Sequence, residues 1–546
     1  MKIKQSFLEL FLGIVLPISV AFLLLNPLLM QKGIPFYGDE TYYYITPNSF
    51  YFNPFAWLFS WIPAYGPAPP FLTLFSYSAP LISMTCLFGQ ELAVKLFILA
   101  VASLPAILTF FALRILDKEW GLFNNEGPGL LFASVSSIFM LVSFTNAGLV
   151  GAATAPAWSY LALPLSFALF VRYIRKGLIK DLLSLCVVSL FAIANPFWIY
   201  LMAIIASLYL IIEVLSREKK RLILKRLILV TLSILTLHSF WVVPTIGGYI
   251  FSAGALFQSY TTEQLISFEG LRFLSHWTLL DVLMVGEHQY YFFWLHSQNY
   301  GPLSVIIPLM AIATVLIFRR NKYVLFTALI LVIGIFLTKG VHEPGGYLYY
   351  FVAKNLPYGA GALLRNPTKF VPLVTFSYAI LIGLFVAKVY EKLGFFKFKG
   401  FILKPSLIKY GALAVLALLV LSPVTYGTLL DLQGYTWPRY KPTYIPQIYD
   451  DVNSWLSQQQ GNFKVMWIPS GGSYVWKPYI ITAFPDLLSS RPAVSFYKIY
   501  PEPLTSTDRI GDVLTPLGVK YIIYHGDSLD YPKEILQRLL NQKDLK

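Results

Sequence analysis

Residues 171–194 read VRYIRKGLIKDLLSLCVVSLFAIA, a cationic segment that runs directly into an apolar one. The cations are Arg172, Arg175, Lys176 and Lys180. The apolar run begins near Leu182, and a helix needs roughly 20 such residues to cross the hydrocarbon core of a bilayer. Lys and Arg flank membrane spans mainly on the cytoplasmic side, so this stretch predicts a transmembrane helix that starts in the cytoplasm.

The same alternation recurs along the chain. Apolar runs begin near Phe7, Leu92, Gly129, Ala157, Leu182, Phe197, Leu227, Leu303, Tyr323, Val371 and Gly411. Every second connection between them is rich in Lys and Arg, and the alternate connections contain few. The positive-inside rule therefore predicts about eleven transmembrane helices, a cytoplasmic N-terminus and an extracytoplasmic C-terminal tail. The expected location is the cell (plasma) membrane.

One further apolar stretch, residues 69–88, does not fit this alternation as a span. Counting it as a crossing would place all the later basic connections outside the cell. The stretch contains Pro69, Pro70 and Pro80, and we predict that it forms interfacial or re-entrant helices. The first outer loop then covers about residues 31–91, a length typical of a functional loop.

The composition agrees with a membrane protein. Of 546 residues, 57% are hydrophobic and 13% are charged, whereas about a quarter of the residues of a soluble domain are charged. The formal net charge of +15 does not predict nucleic-acid binding, because the cations lie between apolar runs and not on one face of a soluble domain. Cys86 and Cys186 are far apart in the sequence and predict neither a disulfide framework nor a cysteine metal site.

The composition changes after Leu430, where charged residues and prolines become more frequent. The pattern there predicts two strands and two helices, at residues 463–468, 519–524, 445–459 and 532–540. We therefore predict a multi-spanning membrane domain, residues 1–430, and a small extracytoplasmic α/β domain, residues 431–546. The tail contains no phosphate-binding glycine motif, and two roles for it stay open, docking or a lid on one hand and carbohydrate contact on the other.

The segment from Tyr37 to Tyr44 follows the first predicted helix and reads YGDETYYY. A carboxylate that is partly desolvated among aromatic rings has a raised proton affinity, which suits a general base. Asp39 and Glu40 are therefore candidate catalytic residues, and the neighbouring Tyr42 and Tyr43 are candidates for contact with a sugar. The structural alternative is that Asp39 caps the N-terminus of an interfacial helix.

A second segment, Arg365-Asn366-Pro367-Thr368-Lys369-Phe370, precedes the tenth predicted span on the outer side. Two cations on a face with few others could hold a phosphate, Arg365 through its bidentate fork and Lys369 as a point charge. Asn366 is a candidate substrate contact. Arg365 and Lys369 would share one face if the segment were helical. The alternative is that both cations are anchors at the membrane surface.

The remaining outer loops contain histidines, at His276, His288, His296 and His342. His288 and His296 are candidate substrate contacts in a loop rich in aromatic residues. The spacing of Glu287 and His288 matches no metal-binding pattern, and no cofactor is predicted with certainty. A divalent cation such as Mg²⁺ or Mn²⁺ stays open.

A transporter is less well supported than an enzyme. Ion-coupled carriers place ionisable relays at the middle of the bilayer. His238 is the clearest ionisable residue within a predicted span, and the sequence shows no inverted repeat.

The long first outer loop, with an acidic residue just after the first helix, resembles the GT-C superfamily of membrane glycosyltransferases. Two motifs are similar to the N-terminal membrane domain of the arabinofuranosyltransferase D family and its archaeal relatives. One is the segment Arg365–Phe370, and the other comprises Thr145-Asn146, Ala157-Trp158 and Leu163-Pro164. Within these 546 residues we find no counterpart of that family's large carbohydrate-binding extension, so the sugar stays open. The Trp-Trp-Asp pattern of oligosaccharyltransferases is absent.

The resemblance implies an inverting glycosyltransferase that uses a polyprenyl-phosphate sugar as donor and a glycan or glycolipid as acceptor, within membrane lipid. Asp39 would then be the base, Glu40 would assist it or bind a cation, and Arg365 and Lys369 would hold the phosphate. The alternative hypothesis is a non-catalytic membrane scaffold or a protein that handles lipid-linked glycans.

Overall fold

The structure is a computed structural model, and its described residues form two compact units. One unit comprises residues 1–26 and 98–437, and the other comprises residues 27–97 and 438–546. The residues that the structure describes are 2–36, 75–146, 161–192, 197–216, 220–243, 266–275, 277–285, 304–356, 361, 364–393, 411, 416, 418, 441–468, 472–476, 479–483, 489–491, 493–494, 507–524, 526–529 and 534–545.

Helices account for most of the described residues before 430. They are α1 (Lys2–Leu10), α2 (Leu16–Leu29), α3 (Phe75–Phe88), α4 (Gln90–Trp120), α5 (Glu126–Asn146), α6 (Leu163–Lys176), α7 (Ile179–Ala192), α8 (Phe197–Ser216), α9 (Lys220–Leu237), α10 (Phe268–Leu274), α11 (Leu279–Leu283), α12 (Ile306–Ile317), α13 (Lys322–Lys339), α14 (Gly346–Asn355) and α15 (Val371–Leu393). A π-helical turn, Phe11–Val15, joins α1 to α2.

Six helical segments among the described residues are long and apolar enough to cross a membrane. They are Ser6–Asn26, Gln90–Trp120, Glu126–Ser143, Phe197–Leu215, Lys322–Lys339 and Pro367–Lys392. The protein is therefore a polytopic helical membrane protein. Helices α6, α7, α9 and α12 occupy further predicted runs but are shorter or more highly charged. The run near Gly411 lies almost entirely outside the described residues, so the total of about eleven stays a prediction.

Helix α15 is the central helix of the first unit, and its apolar segment is almost entirely buried. Small and hydroxyl side chains let its neighbours approach closely, as is usual between helices in membranes. Ser136 Oγ on α5 donates a hydrogen bond to the carbonyl of Ala379 at 2.7 Å. A Cβ on Gly383 would lie 2.8 Å from the carbonyl oxygen of Phe132, so this crossing requires glycine.

Two clusters of charged side chains join the helices of this unit. In one, Arg114 pairs with Glu9 at 2.7 Å, with Asp117 at 3.6 Å and with Glu126. The other surrounds Glu213, which is fully buried on α8. Charges in a low-dielectric environment need such partners because their lost hydration is costly.

The Glu213 cluster connects helices α6, α8 and α13, and the last residue of α4 packs against it. The hydroxyl of Tyr323 donates to the Glu213 carboxylate at 2.9 Å and accepts from Arg175 at 2.7 Å. Arg175 Nε lies 3.7 Å and Lys322 Nζ lies 3.9 Å from the same carboxylate. The Trp120 ring stacks on Tyr323, with centroids 5.1 Å apart.

The second unit contains the strands. They are β1 (Ile34–Phe36), β2 (Lys441–Thr443), β3 (Lys464–Ile468), β4 (Gly472–Trp476), β5 (Tyr479–Ala483), β6 (Ala493–Val494) and β7 (Val519–Tyr524). Its helices after residue 438 are α16 (Gln447–Gln458), α17 (Ile510–Leu514) and α18 (Glu534–Leu540). The two predicted strands correspond to β3 and β7, and the two predicted helices correspond to α16 and α18, each within two residues at either end.

The described residues of this unit form three small sheets. β3 lies between β6 and β7 with all three strands parallel, and β4 pairs with β5 in an antiparallel hairpin. β1 pairs antiparallel with β2, which places Ile34 opposite Thr443. The beginning of the predicted first outer loop therefore pairs with the strand that leads into the C-terminal elements.

Candidate phosphate-binding segment

The segment Arg365–Phe370 forms the entrance to helix α15. Asn366 is the N-cap residue, with non-helical backbone angles (φ −119°, ψ 88°), and Pro367–Phe370 form one turn of 3-10 helix. Pro367 stands at the start of this turn, where its missing N–H is not needed and its fixed φ suits a helix. The Thr368 hydroxyl donates to Asn366 Oδ1 at 2.7 Å, which orients the amide group of the cap.

The condition under which Arg365 and Lys369 would share a helix face, a helix that includes both residues, is not met. Arg365 precedes the non-helical cap at Asn366, so a spacing of four residues does not place the two side chains on one face. Arg365 is exposed, whereas Lys369 is half-buried in the 3-10 turn. The two cations therefore differ in environment, one accessible and one recessed.

Gly340 packs closely against the Arg365–Phe370 segment. Gly340 follows α13 with φ 61°, and a Cβ there would lie 2.6 Å from Pro367 Cγ and would clash with Ser275 Oγ. Ser275 accepts a hydrogen bond from the Val341 N–H at 3.2 Å and donates one to the Leu271 carbonyl at 2.7 Å. The end of α10, the end of α13 and the start of α15 thus meet at one point.

Helix α14 holds the other end of the segment. Tyr349 is buried, and its hydroxyl donates to the carbonyl of Leu364 at 2.6 Å. A small apolar cluster surrounds this bond and contains Ile266, Leu271, Val341, Tyr349 and Ala353, with Leu364 packed against it. Leu364 immediately precedes Arg365, so this hydrogen bond positions the backbone that carries the exposed cation.

Lys369 lies near the aromatic ring of Phe197. Its Nζ is 5.9 Å from the ring centroid of Phe197, at the start of α8. That ring packs edge-on against Phe370 at 4.9 Å. A cation at this distance from a ring gains a weak attraction, much smaller than the cost of removing an ammonium group from water.

Neither Arg365 nor Lys369 forms an ion pair with any carboxylate in the part of the chain that the structure describes. Other recessed cations of this unit have strong partners. Arg172 pairs with Asp181 at 2.5 Å, and Lys339 donates to the carbonyl of His342 at 2.5 Å. A half-buried ammonium and an exposed guanidinium without an anion are the arrangement that a phosphate group would complete.

His342 and Glu343 have structural partners. The His342 Nε2 lies 2.6 Å from the carbonyl of Ser275, and Glu343 accepts a hydrogen bond from the Gly345 N–H at 2.7 Å. Among the described residues no three His, Cys, Asp or Glu side chains are grouped so as to hold a metal ion. His238 directly follows α9. Its Nε2 lies 3.0 Å from Ser189 Oγ, and its Nδ1 accepts a hydrogen bond from Trp241 Nε1 at 3.2 Å.

The other predicted site residues lie outside the described residues. They are Asp39, Glu40, Tyr42, Tyr43, His288 and His296. Their predicted roles stay predictions. Conversely, sequence reasoning missed Ser275, Gly340 and Tyr349, which position the cationic segment. The one sequence signal for these three residues was the position of Gly340 directly after an apolar run. That position does not show that Gly340 packs against Pro367.

Two cryo-EM structures of the mycobacterial arabinofuranosyltransferase AftD match this arrangement of helices and strands. The first aligns over 94% of this chain with a TM-score of 0.57 and 15% sequence identity. The second, of a point mutant of the same protein, aligns over 94% with a TM-score of 0.56 and 14% identity. The chain shares its fold with AftD. The resemblance predicted from the sequence is therefore confirmed at the level of the fold.

The match has a defined extent. It covers 35% and 36% of the two AftD chains, so this chain spans about a third of the length of that protein. No protein-family model matches the chain, and no curated protein matches its sequence.

Proposed function

We propose that the protein is an inverting glycosyltransferase that moves a sugar from a polyprenyl-phosphate donor to a glycan or glycolipid acceptor at the outer face of the plasma membrane. The observation that carries the proposal is the cation pair Arg365 and Lys369, which has no carboxylate partner among the described residues and stands on a fold shared with a glycosyltransferase. A fold alone does not define a reaction. The chemistry of the pair supplies the second argument.

The donor phosphate would lie beside Arg365 and Lys369. In an inverting transfer, the acceptor oxygen forms a bond to the anomeric carbon while the bond from that carbon to the phosphate oxygen breaks. The electron pair of the broken bond stays on the leaving polyprenyl phosphate. Preorganised cations stabilise this developing charge most effectively when water is partly excluded, as it is around Lys369.

The acceptor hydroxyl must lose a proton as it attacks. Asp39 is the proposed base, and Glu40 would assist it or bind a divalent cation such as Mg²⁺ or Mn²⁺. The alternation of basic connections supports an outer location for Asp39 and for Arg365. Tyr42, Tyr43, Asn366, His288 and His296 are the proposed contacts to sugar and lipid.

The same charge pattern supports the rest of the topology. In this proposal the N-terminus is cytoplasmic, residues 1–430 form a membrane domain, and residues 431–546 form an extracytoplasmic domain that follows it in the sequence. The partners are the lipid-linked donor, the acceptor glycan and the surrounding lipids.

The decisive experiment measures sugar transfer by the full chain in lipid nanodiscs. The donors are polyprenyl monophosphates that carry radiolabelled arabinofuranose, mannose, glucose or galactose, and the acceptors are glycolipids extracted from the expression host. We expect Arg365→Gln and Asp39→Asn each to lower the rate by roughly 100-fold, the usual effect of removing one group that stabilises a transition state. Lys354→Gln is the matched control, because Lys354 is an exposed cation of the same unit that lies 5.7 Å from the Tyr350 ring.

The outcomes separate the hypotheses. Wild-type rates in both variants would rule out the assigned roles. If the wild-type chain binds the donors but transfers no sugar from any of them, the protein is a non-catalytic handler of lipid-linked glycans.

A further inference from the structure

The second unit contains a pocket at one edge of its parallel sheet. β3 and β7 are neighbouring parallel strands, so their carboxyl ends meet at the same edge. Trp467 is the penultimate residue of β3, Tyr524 is the last residue of β7, and Asp527 follows β7. Ligands of open α/β sheets bind at the carboxyl ends of the strands, so this edge is where such a fold places a binding site.

The pocket has the size of a ligand site. Its volume is about 560 Å³, within the usual range of roughly 300–1,000 Å³ for small-molecule pockets. Four aromatic side chains line it, those of Tyr444, Tyr449, Trp467 and Tyr524. Tyr444 is 57% exposed, so an aromatic ring at the rim is accessible to a ligand.

A carboxylate is held rigidly at the same place. Asp527 Oδ2 accepts hydrogen bonds from the Tyr449 hydroxyl at 2.7 Å and from Trp476 Nε1 at 3.0 Å. Its carbonyl accepts from the Val475 N–H at 2.9 Å. The rings of Tyr449 and Trp467 are nearly parallel, at 15° with centroids 6.2 Å apart. The aromatic walls and the polar group are therefore preorganised.

The charges of the lining limit the choice of ligand. Among the described residues that line the pocket there is no Lys and no Arg, and Asp527 is the one carboxylate. A phosphate or a carboxylate would find no counter-charge there. A neutral sugar offers an apolar C–H face to aromatic rings and hydroxyl donors to a carboxylate and to tyrosine oxygens.

We propose that this pocket binds one neutral sugar residue of a glycan chain. A hexose or pentose ring would stack on Tyr444 at the rim and direct its hydroxyl groups towards Asp527 and Tyr449. The binding does not depend on transferase activity, but the assignment of this glycan as the acceptor rests on the proposed function. The pocket would then hold one sugar residue of the acceptor chain.

The test uses the full chain in nanodiscs on a glycan array that carries neutral oligomannosides, oligoarabinofuranosides, glucans and galactans beside sialylated and sulfated glycans. We expect binding to at least one neutral series. Tyr444→Ala should weaken it by roughly tenfold, the usual worth of one stacked aromatic contact in a binding site. Trp455→Ala is the matched control, because Trp455 is 47% exposed on α16 of the same unit and does not line the pocket.

Three results would overturn the proposal. They are the absence of binding to every neutral series, equal binding by wild type and Tyr444→Ala, and binding confined to anionic glycans. A fluorescent fatty-acid probe that binds the wild type and loses affinity in Tyr444→Ala, with no glycan bound, would assign the pocket to lipid instead. The Arg365→Gln variant separates the two proposals, since it should lose transfer and keep glycan binding.

Discussion

Pro367 packs directly on the backbone of Gly340, so closely that a methyl group at position 340 would lie 2.6 Å from Pro367 Cγ. This contact joins the end of α13 to the turn that carries Lys369. The position also has φ 61°, a conformation that residues with a side chain rarely adopt. The placement of the proposed phosphate-binding segment therefore depends on one glycine that precedes it by 27 residues.

Gly340→Ala should destabilise the protein by about 1–3 kcal/mol, because it adds both backbone strain and a steric clash. Thermal unfolding of the purified protein in detergent measures the effect. Gly345→Ala is the matched control, since Gly345 also has positive φ (82°) but its nearest neighbour would lie 3.7 Å from the new Cβ. Equal losses in the two variants would show that the packing on Pro367 contributes nothing.

Tyr349→Phe should raise the donor KM by roughly fivefold and leave kcat nearly unchanged, because the loss of one hydrogen bond costs about 1 kcal/mol. The lost bond holds the Leu364 carbonyl, so Arg365 becomes less well positioned for a bound phosphate. Steady-state kinetics over a range of donor concentrations measures the change. Tyr347→Phe, which alters an exposed tyrosine of the same helix, should have no effect. An unchanged KM in Tyr349→Phe would exclude this positioning role.

Glu213→Ala should destabilise the protein by about 3 kcal/mol, because the recessed Arg175 loses one of its two described carboxylate partners in a low-dielectric environment and keeps only Glu119, at 3.9 Å. The measurement is the midpoint of thermal or denaturant unfolding in detergent. Glu391→Ala removes the acid of the more exposed Lys388–Glu391 pair, and we expect a loss of about 0.5 kcal/mol or less there. Similar losses of stability in Glu213→Ala and Glu391→Ala would mean that the burial of Glu213 does not increase the cost of removing its carboxylate.

The environment of Tyr449 predicts that the stability of the second unit decreases at alkaline pH. Burial, followed by the hydrogen bond to the Asp527 carboxylate, raises the pKa of Tyr449 above its ordinary value. A raised pKa in the folded state contributes stability that is present below the unfolded pKa of about 10 and is lost as the pH rises above it. We therefore expect the difference between the free energies of unfolding of wild type and Tyr449→Phe, measured at several pH values from about 8 to 11, to become smaller as the pH rises. A difference in the free energy of unfolding that stays constant with pH would contradict the raised pKa of Tyr449.

The sequence predicted local features because their signals are local. Apolar runs predicted helices such as α4, α13 and α15, since the length of such a run and the cost of an unpaired backbone in lipid leave helices as the outcome. Strand β7 was predicted to the residue because Gly518 precedes a run of β-branched and aromatic residues that only Lys520 interrupts. The cations Arg365 and Lys369 were found because they interrupt a charge pattern.

The sequence by itself determined that the chain is a helical membrane protein, where its cationic segment lies and where strands β3 and β7 form. Hydrophobic periodicity and charge are properties of short stretches, so they can be read before folding. Only the tertiary structure decided that Arg365 lies outside the helix that carries Lys369, that Gly340 and Tyr349 hold the segment, and that Tyr444, Trp467 and Asp527 line one pocket. The last two relationships join residues separated by 15 to more than 80 positions, and they follow from packing and hydrogen bonding between elements that no local pattern encodes.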